Sequence, residues 1–145
     1  MILTGDQAAA EVLARSRVVA VLGAQRAPHL PAHYVPDYLH QNGYRILPVN
    51  PSHVGHVLWG EPVRARLDEL SEPLDMVDVF RRAERLDDHL PELLALRPLP
   101  RVVWFQLGIR NDRVAAGLAA AGIDVIQDRC TMADHRRFRH AGLLG

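Results

Sequence analysis

Four short polar segments carry the residues best suited to binding chemistry, and each closes an apolar run. Gly23-Ala-Gln-Arg-Ala-Pro28, with His29 and His33 just beyond, closes Val18–Leu22, and Asn50-Pro51-Ser52 closes Tyr44–Val49. Arg81-Arg82 closes Leu74–Phe80, and Gln106-Leu-Gly-Ile-Arg-Asn111 closes Val102–Phe105. Arg26 and His29 can bring charge to a phosphate, which a helix beginning near His33 and Tyr34 would reinforce with its partial positive end. Asn50 and Ser52 can hydrogen-bond a nucleoside, although Asn-Pro-Ser also serves as an ordinary turn. At least one of Arg81 and Arg82 can point into a crevice above its strand, the alternative being a solvated pair that starts a helix. Gly108 would let a ligand approach the backbone between the amides of Gln106 and Asn111.

Other chemistries find less support. The chain has 17 basic residues, all Arg, which excludes Schiff-base chemistry and a P-loop lysine, so a phosphate must be met by Arg, His or backbone N–H groups. His29 and His33, or His53 and His56, have no Cys or carboxylate cluster beside them, and Cys130 has no second thiol, which argues against a zinc site. The serines are Ser16, Ser52 and Ser71, without a G-x-S-x-G elbow. His135 would favour a Cys130 thiolate if the two met in space, whereas the commoner role of a lone cysteine is that of a small buried residue. The basic residues Arg136, Arg137, Arg139 and His140 can touch RNA or a partner, but as a helix end they are expected to complement the dipole or stay solvated.

The 17 acidic residues balance the basic ones, which removes any general attraction to nucleic acid or anionic membranes. No apolar stretch approaches the roughly 20 residues that cross a bilayer. The single cysteine and a start, Met-Ile-Leu-Thr-Gly-Asp, without the marks of a signal peptide lead us to expect a cytoplasmic protein. A length of 145 residues with 48% hydrophobic content suits one domain over 1–145.

The elements that position the polar segments follow from periodicity. Thr4-Gly-Asp-Gln7, with Asp6 as a second candidate cap, predicts an entry helix ending near Ser16. Val18–Leu22, Tyr44–Val49, Leu74–Phe80, Val102–Phe105 and Ile123–Ile126 predict five strands. A helix runs to Gly43, and placing Pro36 in its first turn sets its N-cap not much before His33. The segment 53–72 is expected to be irregular, with one helical turn at Leu67–Leu70. Leu86, Leu90, Leu93 and Leu94 share a helical face, which Pro91 should kink or split. Asn111 or Asp112 caps a helix to Gly122, and Thr131–His140 forms the last one. Alternating strands and helices with right-handed crossovers give a Rossmann-like, doubly wound, mostly parallel sheet of about five strands in three α/β/α layers. A ligand then sits beyond the carboxyl ends of the strands, where the four polar segments lie.

The first of those segments keeps only Gly23 of a G-x-G-x-x-G fingerprint, with Gln25 and Pro28 at the other two positions, and the second strand ends in Asn50 rather than an acidic residue. Both departures weigh against a dinucleotide.

Taken in order, Val-Leu-Gly23…Pro31-Ala-His-Tyr34, Leu47-Pro-Val-Asn-Pro51, Val77-Asp-Val-Phe-Arg81, Val103-Trp-Phe-Gln-Leu-Gly-Ile109 and Asp128-Arg-Cys130 with His135 resemble a family of small bacterial CoA-binding domain proteins. The family is similar to the N-terminal CoA-binding domain of the succinyl-CoA synthetase α subunit, without the segments that make the synthetase an enzyme. The resemblance implies coenzyme A over the strand ends, held at Gly23, the Gln25–His29 loop, Asn50, Pro51, Arg81, Gln106, Gly108 and Asn111. The loop departs from the family's commoner Ser-Pro-Lys-Pro form, which leaves Arg26 as the substitute for its lysine. The expected function is non-catalytic: a sensor or carrier of CoA or acyl-CoA, or a subunit that delivers it to a protein partner; the sequence sets no oligomeric state. An NAD(P)-dependent oxidoreductase and an interaction module that has lost its ligand are the alternatives.

Overall fold

Each apolar run is short and flanked by turn residues, so the chain crosses the core repeatedly and returns along helices. The computed structural model describes residues 1–145 and contains, in chain order, α1 (Asp6–Arg15), β1 (Val18–Leu22), α2 (Pro31–Gln41), β2 (Arg45–Val49), β3 (Val57–Leu58), β4 (Glu61–Pro62), β5 (Met76–Val79), α3 (Leu86–Ala95), β6 (Val102–Phe105), α4 (Asp112–Ala120), β7 (Asp124–Ile126) and α5 (Thr131–His140). Five strands pair in the order β2-β1-β5-β6-β7, all parallel, so the Rossmann-like α/β expectation holds. The chain steps outward from β1 to β2, then crosses back to β5 on the other side of β1. The gap between the ends of β1 and β5 is therefore the topological switch point, where such sheets bind ligands.

The pleat divides the core into two layers. Val19, Val21, Ile46, Met76 and Trp104 pack with Leu13 of α1, Leu39 of α2 and Phe138 of α5. Leu22, Val77, Val79 and Phe105 pack with Leu86 and Leu93 of α3 and with Val114 and Leu118 of α4. None of the five helices exceeds 11 residues, and isolated helices shorter than about 12–15 residues are marginal in water. Burial on the sheet holds them, each fully buried Leu contributing on the order of 2 kcal/mol.

Both sheet edges are covered. Leu3 N–H donates to Val125 O at 2.8 Å and Val125 N–H to Met1 O at 3.0 Å, which occupies the outer side of β7. On β2, Arg64 N–H donates to Pro48 O at 3.0 Å, and Arg64 O accepts from Asn50 N–H at 2.8 Å. Pro48 is tolerated because β2 is an edge strand.

Several local expectations are corrected. Gly5 is the N-cap of α1 and no side chain caps it; the Asp6 carboxylate instead accepts from Arg129 and Arg137. Helix α2 starts earlier than Pro36 suggested, with Leu30 as N-cap and Pro31 in the first turn, so Pro36 lies inside it. Pro91 likewise lies inside α3, which runs on as one helix. The irregular segment contains a β3/β4 hairpin turning on Trp59 and Gly60, both at positive φ, as a two-residue hairpin loop requires. The helical turn expected there is present at Leu67–Glu69. Of the basic C-terminal side chains, Arg137 pairs with Asp6 and Asp134, while Arg136 lies over the Tyr38 ring.

Candidate functional site

Two cavities open along the switch point. The larger, about 780 Å³, is lined on one side by Leu30, Tyr34 and Val35 and on the other by Phe80, Arg81, Gln106 through Ile109, Cys130 and Met132. The smaller, about 350 Å³, is lined by Gly23, Asn50, Pro51, Arg66, Arg81, His89 and Glu92 among others. Arg81 lines both. Gly23 is required between them: at φ +93 a Cβ would lie 2.6 Å from Phe80 O and 3.2 Å from the Arg81 Cδ.

The loop after β1 is fixed through Gln25. Pro36 has no N–H for the carbonyl of Ala32, four residues back, and Gln25 N–H takes that acceptor at 3.2 Å. His33 Nδ1 donates to Gln25 O at 2.8 Å, and His53 Nε2 lies 2.9 Å from Gln25 Oε1. Gln25 lines the larger cavity. Arg26 and His29, also expected there, are exposed and line neither cavity. His33 supports the loop from below, its ring 5.4 Å from that of Trp59.

Asn50 is 3% exposed and its amide is engaged within the protein: Nδ2 donates to Ala24 O at 2.9 Å and Oδ1 accepts from Ser52 N–H at 2.9 Å. It ties the first loop to the second rather than presenting its amide to solvent. Pro51 lines the smaller cavity, and Ser52 lies outside both.

Three arginines line the crevice, Arg66 in the smaller cavity, Arg82 in the larger and Arg81 in both. Arg81 Nε donates to His89 Nε2 at 3.3 Å, and its two Nη groups bond no protein atom. His89 Nδ1 lies 2.6 Å from Glu92 Oε1, and Leu67 N–H donates to Glu92 Oε2 at 3.4 Å. Burial raises the Glu92 carboxyl, but the hydrogen bond with His89, the Leu67 N–H and the charge of Arg66 outweigh it, holding it below the usual carboxylate range. Arg82, the other member of the pair, is exposed and lines the larger cavity with Glu84.

Gln106 forms part of the cavity wall from a buried position. Its Nε2 donates to Asp78 Oδ1 at 2.7 Å and to Thr131 Oγ1 at 2.8 Å, and the Thr131 hydroxyl donates to Asp78 Oδ2 at 3.0 Å. Asp78 is wholly buried, and burial pushes its carboxyl up to about 7 against the lowering effect of the Gln106 and Thr131 hydrogen bonds. The triad locks the ends of β5 and β6 to the start of α5. Gly108, at φ +83, lines the cavity and donates its N–H to Asp128. Asn111 lies outside the cavity; it caps α4 through Val114 N–H at 3.1 Å and donates to Ala83 O at 3.0 Å.

Cys130 is half-buried and lines the larger cavity. His135 turns elsewhere: its Nδ1 is 2.9 Å from Tyr38 Oη, and it lines a separate cavity with Leu13 and Tyr44. Burial, then the charge of Arg139, lower its pKa. Asp78, Thr131, His89 and Glu92 are the residues that sequence reasoning missed. An aspartate inside Met-Val-Asp-Val and a His/Glu pair three apart on a helix, just after Arg81, were the available signals.

Fold and crevice together define a Rossmann-like α/β domain with two cavities open at the sheet's switch point. The chain belongs to the CoA binding domain family, whose profile matches residues 17–136. It is 35% identical over 125 residues to the uncharacterized protein YneT of Bacillus subtilis strain 168, covering 86% of this chain and 90% of that one. A solved structure from Thermus thermophilus, cell-free ID.343, superposes with a TM-score of 0.87 at 50% identity, covering 92% of this chain and 98% of the other. A hypothetical protein from Pyrococcus horikoshii OT3 gives 0.84 at 28% identity, over 98% and 94%. No helix is long and apolar enough to cross a membrane.

Proposed function

We propose that this protein binds coenzyme A or an acyl-CoA along the switch-point crevice, as a cytoplasmic sensor, carrier or partner subunit rather than as a catalyst. The observation that carries the reading is Arg81, the one side chain that lines both cavities, whose two Nη groups have no protein partner. Guanidinium and phosphate oxygens match as a two-toothed, charge-assisted pair, so the diphosphate belongs at that side chain. The family supports coenzyme A as the ligand. The larger cavity suits the pantetheine arm, being mostly apolar with a few polar groups such as Gln25 and Gln106 in its lining. Phosphate binding shifts from Arg26, the loop residue expected for it, to Arg81, because Arg26 lies outside both cavities. Nothing in the crevice couples a nucleophile to a base.

The test is thermal unfolding of the purified protein with coenzyme A, NAD or NADP at equal concentration. A ligand that binds only the folded state raises Tm by mass action. Coenzyme A should raise it and the dinucleotides should not; an equal or larger shift with NADP would favour an oxidoreductase. Arg81→Ala should weaken binding by roughly 1.5–3 kcal/mol, the range for a hydrogen bond to a charged group, and Arg26→Ala by much less.

A further inference from the structure

We infer that His89 is a positioning residue for the anion-binding head of the crevice, fixing the Arg81 guanidinium through Nε2 while Glu92 fixes the imidazole through Nδ1. The inference rests on the reading of the crevice as a coenzyme A site and adds to it the device that orients Arg81.

An arginine Nε–H can only donate, so at 3.3 Å from His89 Nε2 it requires that nitrogen to be the acceptor. The ring proton is then on Nδ1, where it donates to Glu92 Oε1 at 2.6 Å. Glu92 is itself anchored: its side chain is 8% exposed, and its second oxygen accepts from Leu67 N–H at 3.4 Å and faces Arg66 at 3.8 Å. A buried carboxylate thus selects the His89 tautomer, and the tautomer selects the Arg81 rotamer. The relay leaves both Nη groups without a protein partner on a side chain that lines both cavities.

The consequence is pre-organisation. A free arginine side chain loses substantial rotamer freedom when it is immobilised on a phosphate. Holding Nε in advance removes part of that cost, and it fixes the planar fork. If His89, which itself lines the smaller cavity, acts through Arg81, its contribution should vanish when the guanidinium is gone.

Wild type, His89→Leu, His89→Gln, Arg81→Ala and the His89→Leu/Arg81→Ala double variant are each titrated with coenzyme A by calorimetry. If wild type does not bind coenzyme A, the reading of the crevice fails, and this inference with it. Given wild-type binding, His89→Leu should weaken it by about 10-fold, comparable to losing a single supporting interaction of this kind. His89→Gln, whose amide oxygen can accept from Arg81 Nε, should recover most of the loss. The double variant should bind no worse than Arg81→Ala alone, the non-additivity that a shared partner produces. Wild-type affinity in His89→Leu, no recovery in His89→Gln, or a further loss in the double variant would each overturn the positioning role while leaving the ligand assignment standing.

Discussion

The backbone N–H of Gln25 donates, at 3.2 Å, to the one carbonyl of α2 that Pro36 leaves without its helical donor, that of Ala32. A proline inside a helix, ordinarily a cost of about 3 kcal/mol, here frees the acceptor that holds the loop after β1. Pro36→Ala should therefore separate stability from loop order. The restored N–H competes for Ala32 O, so the Gln25 amide should exchange with deuterium faster although the helix is locally more favourable. Hydrogen exchange of the 23–30 loop measures this, and an unchanged Gln25 rate would show that the clamp is redundant.

The close approach of β1 to β5 gives a second expectation. Gly23 and Gly108 both sit at positive φ, but a Cβ at Gly23 would strike Phe80 O while one at Gly108 meets nothing within 4 Å. Backbone strain of roughly 1–2 kcal/mol per residue applies to both; the clash applies only to Gly23→Ala. Denaturant unfolding should show Gly23→Ala losing clearly more stability than Gly108→Ala, and equal losses would mean that the strand ends can separate.

What was legible in the sequence follows from what periodicity can carry. The five parallel strands were readable because each is a dense apolar run closed by turn residues, and the observed ends differ from the expected ones by at most two residues. The hairpin at Val57–Pro62 was not, since strands of two residues have no period and its turn is Trp59-Gly60 rather than Asn-Gly. Pro36 misled because its cost inside a helix is met in part by a tertiary partner, the Gln25 N–H, which no local window contains; Pro91 also lies inside its helix. In the site, Gly23 and Arg81 were found from their places after strands. Arg26 and His29 also follow a strand, but the loop turns them outward. Asp78 read as ordinary strand alternation because its partners, Gln106 and Thr131, lie 28 and 53 residues away.

That buried aspartate predicts a pH dependence of stability. Its carboxyl titrates near 7 when folded, against an ordinary value of 3.8. Between those values the folded state holds a proton that the unfolded chain has released, so stability falls as pH rises from about 4 to about 7 and stays reduced above that. His135, with its pKa lowered by burial and Arg139, acts in the opposite sense, costing stability as pH falls through the imidazole range. Comparing Asp78→Asn with wild type isolates the first effect. In urea unfolding the variant should gain stability relative to wild type at pH 8 and not at pH 4.5; a difference independent of pH would show that Asp78 is not the titrating group.

The last expectation concerns Cys130, the one cysteine in the chain, which stands as N-cap of α5 and lines the larger cavity with Gln106, Leu107 and Met132. His135 is engaged by Tyr38 rather than by the thiol, and access through the cavity is expected to govern the rate at which Cys130 is modified. A ligand whose pantetheine arm occupies the cavity must cover it. Alkylation by a small maleimide, followed by intact mass, should therefore slow in the presence of coenzyme A and be unaffected by NAD. Arg81→Ala, which leaves the cavity wall but weakens the diphosphate end, should restore the unprotected rate at the same coenzyme A concentration. Protection that persists in Arg81→Ala would indicate that the arm is held independently of the diphosphate. Equal alkylation rates with and without saturating coenzyme A would place the arm away from this wall.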